Sequence, residues 1–432
     1  MKAISTVRSV LHQSIHANRT PLSLTTTVKR CMGGQLPGQH SQELAARTKA
    51  AYSPFETLNK YTSHVDMFSC DYLGLGQNEE LNWVHAYSIL RHGMDRICSC
   101  VVSYPGDSPV KDTERALARW LKSESAALTY SCTAANIGAM EILLKGNERP
   151  VYVDRFAHAT LQVGVTFAGA AGRLHVFHHN DLDHLRSLIA KTGSGVVVVD
   201  SIYSTNGEEA PMADLVDLCH DLGCILVVDE SHALGVIGEQ GEGLVAHLGL
   251  EDGVHVRTTS FLKSLTCENG VIASSRDFTD CFNHATTLGI FSNAMQISGA
   301  MRVKKAMELA MHATEQRENL RKLSKSFRQQ LKEAGFPVRT DIDHPIVSVV
   351  VGEMERAVEI HHYLCSKGIY PWVFFYPATP KDGAMVRFVI NQYLTPEKLA
   401  YTVETMKNLR EDLKPSTGMG REERSAISQA II

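Results

Sequence analysis

The sequence lacks the features that mark several large classes of protein. No stretch approaches the roughly 18 consecutive apolar residues that a membrane-spanning helix requires. The 43 lysines and arginines are outnumbered by 47 aspartates and glutamates, so there is no excess of positive charge to hold nucleic acid. The ten cysteines contain no Cys-x-x-Cys pair, which argues against a zinc site or a disulfide framework and fits a reducing compartment. We therefore expect no membrane span, nucleic-acid partner or bound metal.

Acidic residues are also missing from residues 1–42, where five lysines and arginines stand among serines and threonines. Within this segment Ile4, Val7, Leu11 and Ile15 are three or four positions apart and would share one face of a helix. A basic, amphipathic segment without acids is typical of a mitochondrial transit peptide. The alternative is an ordinary disordered extension of a bacterial protein. The expected location is the mitochondrial matrix in the first case and the cytoplasm in the second.

Two short runs rich in β-branched residues, Val196–Asp200 and Ile225–Asp229, each end on an aspartate and predict parallel strands buried on both faces. Helical spacing over 213–222 joins them into a βαβ unit of an α/β sheet. Ligands bind at the carboxyl ends of such strands, so both aspartates should face one crevice. The patterns further along predict a long helix over 300–334 and strands over 346–351 and 385–390.

The second strand leads into Asp229-Glu-Ser-His232, which places a carboxylate at the strand end and an imidazole three residues later. Pyridoxal 5′-phosphate (PLP) needs an anionic partner on its ring nitrogen, because the protonated ring accepts the electrons released at the substrate carbon. Asp229 would supply this charge, and His232 would hydrogen-bond near the ring oxygen. The alternative is a strand-end aspartate that caps the following turn.

Lys263 follows in an uncharged stretch rich in serine and threonine. A lysine in such surroundings can condense with the aldehyde of PLP as a Schiff base, whereas a lone lysine is more often a solvated surface charge. Ser260, three residues earlier, could bind the cofactor phosphate. The sequence therefore offers one candidate lysine for covalent attachment of the cofactor.

A second candidate for phosphate binding is Tyr130–Asn136, which precedes a predicted helix over 137–144. Free backbone N–H groups at a helix start bind anions, and Cys132 and Thr133 would lie closest to the phosphate. The alternative is that the serine and threonine only cap the helix. Further along, His158 lies in a strand-to-helix connection and could stack on a pyridine ring, or be an ordinary loop histidine.

Taken in order, these phrases resemble those of the α-oxoamine synthases, a PLP-dependent family that condenses an amino acid with an acyl-CoA and usually releases carbon dioxide. The resemblance covers residues 66–412. It implies the type I aminotransferase fold, an α/β fold with a large domain on a mostly parallel sheet and a smaller C-terminal α+β domain. The phrases at 152–158, 179–186, 199–205 and 377–380 are similar to those of the bacterial quorum-sensing autoinducer synthases, which make α-aminoketone and α-hydroxyketone signals.

The resemblance also implies a role for individual residues. Its catalytic residues would be Lys263, Asp229, His232 and His158. The cofactor contacts would further include Cys132, Thr133, Ser204, Ser260, Ser292 and Asn293. Of these, the segment containing Ser292 and Asn293 is similar to the one that reaches the neighbouring subunit's phosphate, which implies a homodimer with shared active sites.

Two residues are expected to bind substrate. Arg387 is similar to the family's arginine that holds the substrate carboxylate through a bidentate pair, unless it is an ordinary surface arginine of a strand. Cys70 stands where the family usually has asparagine, and Thr266–Asn269 stand where glycine or an arginine-containing stretch is expected. Both departures lie near the substrates, so they bear on which amino acid and acyl donor are used.

The implied activity is acyl transfer, in which the amino acid displaces Lys263, loses its α-proton and attacks the acyl thioester, with Lys263 as the proton shuttle. Two alternatives are an aminotransferase or another PLP enzyme of the same fold, and a non-catalytic partner subunit. Retention of all four catalytic residues argues against the partner subunit.

The composition and the resemblance divide the chain into five segments. These are a basic extension over 1–42, an N-terminal arm over 43–100, a large PLP-binding domain over 101–295, a small C-terminal domain over 296–412 and a flexible tail over 413–432. The first boundary lies where acidic residues return, at Glu43.

Overall fold

The structure is a computed structural model that describes residues 39–57, 64–95, 97–102 and 104–412. The predicted targeting features before residue 39 and the predicted tail over 413–432 lie outside the described residues. The chain forms two compact units that divide after Thr57. The described part of the first unit is helix α1, Gln39–Tyr52, followed by a short 3₁₀ turn. This helix begins inside the segment that composition assigned to the extension.

The second unit contains two sheets and the remaining helices. In chain order its strands are β1 Val65–Met67, β2 Ser125–Thr129, β3 Val151–Asp154, β4 Leu174–Phe177, β5 Val196–Asp200, β6 Ile225–Asp229, β7 Val256–Ser260, β8 Gly270–Ser274, β9 Ile346–Gly352, β10 Ile369–Phe374 and β11 Ala384–Val389. Its helices are α2 Glu79–His92, α3 Pro109–Trp120, α4 Cys132–Leu144, α5 Ala159–Phe167, α6 Leu182–Thr192, α7 Met212–Asp221, α8 Leu244–Leu248, α9 Arg276–Ala285, α10 Thr287–Phe291, α11 Ile297–Met311, α12 Thr314–Glu333, α13 Met354–Ser366 and α14 Pro396–Asp412.

The larger sheet has the strand order β2-β8-β7-β6-β5-β3-β4, and only β8 runs antiparallel to its neighbours. Its central strands are apolar along their whole length because both faces are covered. Val197 and Val199 of β5 pack in one apolar cluster, whereas Val196 and Val198 pack in a second cluster on the opposite face. This sheet and the smaller one confirm the predicted fold, including the βαβ unit formed by β5, α7 and β6.

The smaller sheet has the strand order β1-β10-β11-β9. Strand β1 comes from the segment predicted as the N-terminal arm, and it pairs in parallel with β10. Strands β10, β11 and β9 pair antiparallel, which places Arg387 between Trp372 and Ser348. The smaller sheet is therefore built from two distant parts of the sequence.

The prediction of a single helix over 300–334 was wrong, because the structure has two helices there, α11 and α12. Ala313 between them has φ −82° and ψ 41°, which is outside the helical range. The guanidinium group of Arg317 donates to the carbonyl oxygen atoms of Ala310 and Met311. The carbonyl of Ala310 also accepts the backbone N–H of Ala313, so Arg317 adds to the hydrogen bonds at the end of α11.

Among the described residues, no helix has both the length and the apolar composition needed to cross a bilayer.

Candidate active site

The carboxyl ends of the parallel strands β3, β5, β6 and β7 surround a cavity of about 180 Å³. Both strand-end aspartates line it, as the βαβ pattern predicted. The lining residues are Ser131, Cys132, Thr133, His158, Thr160, Asp200, Ile202, Asp229, Ser231, His232, Ser260, Leu262, Lys263 and Glu268. The structure therefore brings together Lys263, Asp229, His232 and His158, which the sequence had placed up to about a hundred residues apart.

Asp229 lies at the end of β6 and is only 4% exposed. Its Oδ1 accepts the backbone N–H of Ser231 at 2.9 Å. Its Oδ2 accepts the side-chain amide of Asn136 at 3.0 Å and lies 3.5 Å from the thiol of Cys132. These donors orient the carboxylate and compensate part of the cost of burying its charge.

Asp200 lies beside Asp229 in the register of β5 and β6. Its Oδ1 accepts the backbone N–H of His158 at 3.1 Å, which positions the loop that follows β3. Burial raises the pKa of Asp200 well above its usual range, and the nearby charge of Asp229 adds to this effect. The two aspartates therefore differ in their surroundings. Asp229 accepts hydrogen bonds from Ser231 and Asn136, whereas the raised pKa of Asp200 favours its protonated form.

His158 begins α5, where its Nδ1 lies 2.8 Å from the hydroxyl of Thr160. Removal of water by the surrounding protein lowers the pKa of His158. The charge of Lys263 lowers this pKa further, whereas the charge of Asp229 raises it. A lowered pKa means that the imidazole is neutral near neutral pH. A neutral, oriented ring at this position suits stacking on an aromatic cofactor.

His232 is 5% exposed, and its Nδ1 lies 2.8 Å from the hydroxyl of Tyr72. Its backbone carbonyl accepts Nε2 of His344 at 2.8 Å. Burial lowers the pKa of His232 well below its usual range, and the charges of Lys263 and Arg387 lower it further. His232 is thus a neutral imidazole held from both its ring and its backbone.

Lys263 is half-buried in the turn between β7 and β8, three residues after Ser260 ends β7. The backbone N–H of Ser260 donates to the hydroxyl of Ser231 at 2.9 Å, which ties the start of this turn to β6. Thr266 has φ +51°, a left-handed conformation that a β-branched residue rarely adopts and that favours glycine. A glycine, one of the two alternatives that the resemblance implies for this stretch, would adopt this conformation without strain.

Helix α4 begins at Cys132, five residues earlier than the sequence predicted. Ser131 is its N-cap, and the side-chain oxygen accepts the backbone N–H of Ala134 at 3.2 Å. Cys132 and Thr133 therefore lie in the first turn, where N–H groups without helical partners can bind an anion. Burial, together with the charge of Asp229, raises the pKa of the Cys132 thiol well above its usual range.

Five predicted site residues lie outside the described lining of this cavity: Cys70, Ser204, Ser292, Asn293 and Arg387. Arg387 is 5% exposed, and its guanidinium donates to the carbonyl oxygen of Ser204. The surface-arginine alternative for Arg387 is therefore wrong. Cys70 interacts with the side chain of Tyr72, and burial raises the pKa of that tyrosine well above its usual range.

Sequence reasoning assigned no role to Tyr72, or to Asn136, although Asn136 belongs to the Tyr130–Asn136 phrase that it singled out. Asn136 contacts Asp229 only because α4 starts early enough to place this residue one turn into the helix. Tyr72 contacts His232 across 160 residues of sequence. No local pattern could have identified either contact, because each depends on how distant segments pack.

The residues present fit PLP. A buried carboxylate is available for the ring nitrogen, an amine for the aldehyde, a neutral imidazole for the ring face and a helix start for the phosphate. The carboxylate of Asp229 is the most specific of these features, because the donors of Ser231 and Asn136 orient it and it lines the cavity. Among the residues that the structure describes, no group of histidine, cysteine and acidic side chains is placed to hold a metal ion.

Comparison with known proteins agrees with this chemistry. The family model for aminotransferase class I and II matches residues 87–406. The CAI-1 autoinducer synthase of Vibrio campbellii is 34% identical over 340 residues, which are 78% of this chain and 85% of the relative. The 8-amino-7-oxononanoate synthase of Alkalilimnicola ehrlichii is 32% identical over 333 residues, which are 76% of this chain and 84% of the relative.

The structure of a serine palmitoyltransferase from Sphingomonas wittichii superposes with a TM-score of 0.76 and covers 82% of this chain and 88% of that chain. The two sequences are 22% identical, so this likeness concerns the fold. The family model, the two relatives and the residues that line the cavity support the same assignment. The chain belongs to the aminotransferase class I and II family and, within it, to the PLP-dependent α-oxoamine synthases, which are acyltransferases.

Proposed function

We propose that this protein condenses an amino acid, or a related amine, with an acyl-CoA to give an α-aminoketone. The amino acid's α-carbon loses its proton and forms a carbon–carbon bond to the acyl carbon. The thioester carbon–sulfur bond breaks, and coenzyme A is released. Where the substrate carboxylate leaves, it leaves as carbon dioxide. The observation that carries the proposal is the meeting of Lys263, Asp229 and His158 in one cavity.

The chain's own residues would divide the work as follows. PLP, when bound, supplies a sink for the electrons released at the substrate α-carbon. Asp229 presents a fixed negative charge, and His232 presents a neutral imidazole whose orientation Tyr72 maintains. Lys263 Nζ exchanges places with the substrate amine and then moves protons within the cavity, since it is the lining residue with an amine.

Arg387 would bind the substrate carboxylate. Its guanidinium is buried, and its Nε has no hydrogen-bond partner among the described residues. An unpaired buried N–H is unfavourable, so an incoming carboxylate would both pair the charge and satisfy this donor. The charge of Arg387 also lowers the pKa of Tyr72 and of His232. Cys70, beside Tyr72, would border the same part of the substrate.

The active unit would be a homodimer with shared sites. Ser292 and Asn293 are not among the residues that line the cavity of their own chain, and Asn293 pairs with Ser99. Next to this pairing, Ile97 is 86% exposed and Phe291 is 81% exposed. Large apolar side chains with this exposure on adjacent segments favour burial by a partner, and a second copy would bring Ser292 to its phosphate.

Transamination is the main alternative for a protein of this fold. The named relatives favour acyl transfer, since both are named as synthases and neither as an aminotransferase. An assay of coenzyme A release separates the two reactions, because a transaminase converts an amino acid and an oxo acid without a thioester.

The deciding experiment is a substrate screen with purified, PLP-loaded protein. Acyl-CoAs of graded chain length are combined with glycine, alanine, serine, 2-aminobutyrate and S-adenosylmethionine, and the products are identified by mass spectrometry. We expect an α-aminoketone and free coenzyme A that both require amine and thioester, with none from the Lys263→Ala variant. Conversion of amino acids to oxo acids without use of any thioester would reject the proposal.

We also propose that residues 1–42 direct the protein to mitochondria, on the strength of their composition alone. The control is a chain that begins at Pro37, which removes all five lysines and arginines of this segment and keeps helix α1 intact. Fusion of the first 42 residues to a fluorescent protein should place it in the matrix of a eukaryotic cell. A diffuse cytoplasmic signal would assign the segment to an ordinary extension.

A further inference from the structure

Asn136 is a completely buried residue of α4 that faces α5, the end of β6 and the middle of β7. Its side-chain nitrogen donates to Oδ2 of Asp229 at 3.0 Å and to the hydroxyl of Thr160 at 2.9 Å. Its side-chain oxygen accepts the hydroxyl of Thr258 at 2.5 Å. The Asn136 amide therefore contacts both Asp229, whose carboxylate would face the ring nitrogen of PLP, and Thr160, whose hydroxyl contacts His158.

The positions of the hydrogen atoms follow from the partners. A carboxylate only accepts hydrogen bonds, so the nitrogen of Asn136 must face Asp229. The same nitrogen donates to Thr160, whose own hydroxyl hydrogen is then free to point at Nδ1 of His158, 2.8 Å away. The backbone N–H of Thr160 also points at this Nδ1, at 3.4 Å. Nδ1 therefore faces two donors, and the ring proton belongs on Nε2.

We propose that Asn136 is a positioning residue that holds the carboxylate of Asp229 and, through Thr160, selects the Nε2–H tautomer of His158. The hydrogen bonds run in one direction, from Thr258 through Asn136 and Thr160 to His158. The proposal rests on the proposed function only in that PLP occupies this cavity, since the identity of the acyl donor does not enter.

Because these hydrogen bonds all run in one direction, the replacement of a single atom can reverse them. Asn136→Asp has nearly the same shape but replaces the donating nitrogen with an oxygen. That oxygen accepts the hydroxyl of Thr160, which then turns a lone pair towards His158 and favours a proton on Nδ1. The same change removes a donor from Asp229 and places a second acid beside it.

Two variants of Thr160 provide the matched comparison. Thr160→Val removes the link to His158 and leaves the bond between Asn136 and Asp229 in place. Thr160→Ser keeps the hydroxyl and should restore the behaviour of the unmodified protein. The measurement is the pair of ring ¹⁵N chemical shifts of His158 in full-length, PLP-loaded, histidine-labelled protein, with the signal assigned by its loss in His158→Gln. The dissociation constant of PLP is measured alongside.

We expect Asn136→Asp to move the proton of His158 to Nδ1 and to weaken PLP binding by roughly 10- to 100-fold, since a buried hydrogen bond to a charged group is lost. Thr160→Val lacks the hydroxyl but keeps the backbone N–H that points at Nδ1, so it should raise the Nδ1–H fraction of His158 only in part, with PLP affinity altered less than about threefold. Thr160→Ser should change neither. If Asn136→Asp fails to fold, Thr160→Val still tests the link to His158. Ring ¹⁵N shifts of His158 in Thr160→Val that equal those of the unmodified protein overturn the proposal. Failure of acyl transfer in the substrate screen would reject the proposed function without moving the tautomer.

Discussion

The hydroxyl of Tyr72 lies 2.8 Å from Nδ1 of His232, and both side chains are buried. Burial raises the pKa of Tyr72 and lowers the pKa of His232, so the phenol keeps its proton and the imidazole is neutral. The phenol therefore donates, Nδ1 accepts, and the remaining ring proton sits on Nε2. His232 lines the cavity and can offer this N–H to a bound cofactor.

Tyr72→Phe should leave the protein folded and lower kcat/KM for the amino acid by roughly 5- to 150-fold, the range expected when a buried hydrogen bond of about 1–3 kcal/mol is lost. The phenyl ring keeps the packing, so the effect reports the hydroxyl. Tyr401→Phe is the control, because that hydroxyl bonds a carbonyl at an exposed position. Equal kinetics in Tyr72→Phe and Tyr401→Phe would mean that Tyr72 does not act on His232.

Lys263→Ala should remain folded but lose the yellow colour of covalently bound PLP and the bond that borohydride traps. The reason is chemical, since only an amine condenses with the aldehyde. Lys322→Ala removes an exposed lysine and serves as the control. The readout is visible absorbance together with mass spectrometry after reduction. A trapped PLP adduct that persists in Lys263→Ala would assign the attachment to another lysine.

Arg387→Ala should weaken use of the amino acid by tens to thousands of fold, because removal of one member of a buried charge pair costs on the order of 2–5 kcal/mol. Arg387→Lys should recover part of this loss, since an ammonium group cannot reproduce the planar pair of donors. PLP binding should survive, as Arg387 lies outside the described cavity lining. The measurement compares kcat/KM for the amino acid with KM for the acyl-CoA, and unchanged amino-acid kinetics would leave the carboxylate contact unassigned.

Shared sites predict rescue between two inactive chains. A Lys263→Ala chain mixed with a Ser292→Ala, Asn293→Ala double variant should form hybrids with one complete site each. Random mixing then gives roughly a quarter of the normal number of sites. The comparison is with each variant alone, and sedimentation reports the dimer. Activity of the mixture equal to the mean of the separate variants would indicate sites built within one chain.

His179 provides a prediction of pH dependence. Its Nδ1 lies 2.9 Å from Asp154 and its Nε2 lies 2.5 Å from Glu208. Burial alone would lower the pKa of His179, but the bonds to the two carboxylates outweigh it and raise the pKa above 6.5. Burial alone would raise the pKa of Glu208, but His179 and Arg339 lower it below 4.5.

The stabilisation from His179 is complete below pH 6.5 and is lost as the pH rises through the raised pKa. The stabilisation from Glu208 is present above pH 4.5 and is lost as the pH falls through the lowered pKa. His179→Gln should therefore reduce the thermal midpoint more at about pH 6 than at about pH 9. His220→Gln, at an exposed position, is the control. An equal reduction at both pH values would show that His179 contributes by packing alone.

The sequence by itself determined the fold class and the edge of the sheet at which the cavity lies. Val196–Asp200 and Ile225–Asp229 are strands at the residues that the apolar runs predicted, because strands covered on both faces must be apolar throughout. The strand-end positions of Asp200 and Asp229 follow from that pattern. Parallel strands bring their carboxyl ends to one edge, so local signals were sufficient to bring these two residues together.

Only the tertiary structure decided which side chains hold the catalytic ones. Asn136 reaches Asp229, and Tyr72 reaches His232, through the packing of segments that are 93 and 160 residues apart. It likewise decided that Arg387 is buried and that Ser292 is not among the residues that line its own chain's cavity. Periodicity reports how a residue faces its own helix or strand, whereas these contacts depend on the relative placement of whole elements. That placement is fixed by packing of the entire core, which no local stretch of sequence encodes.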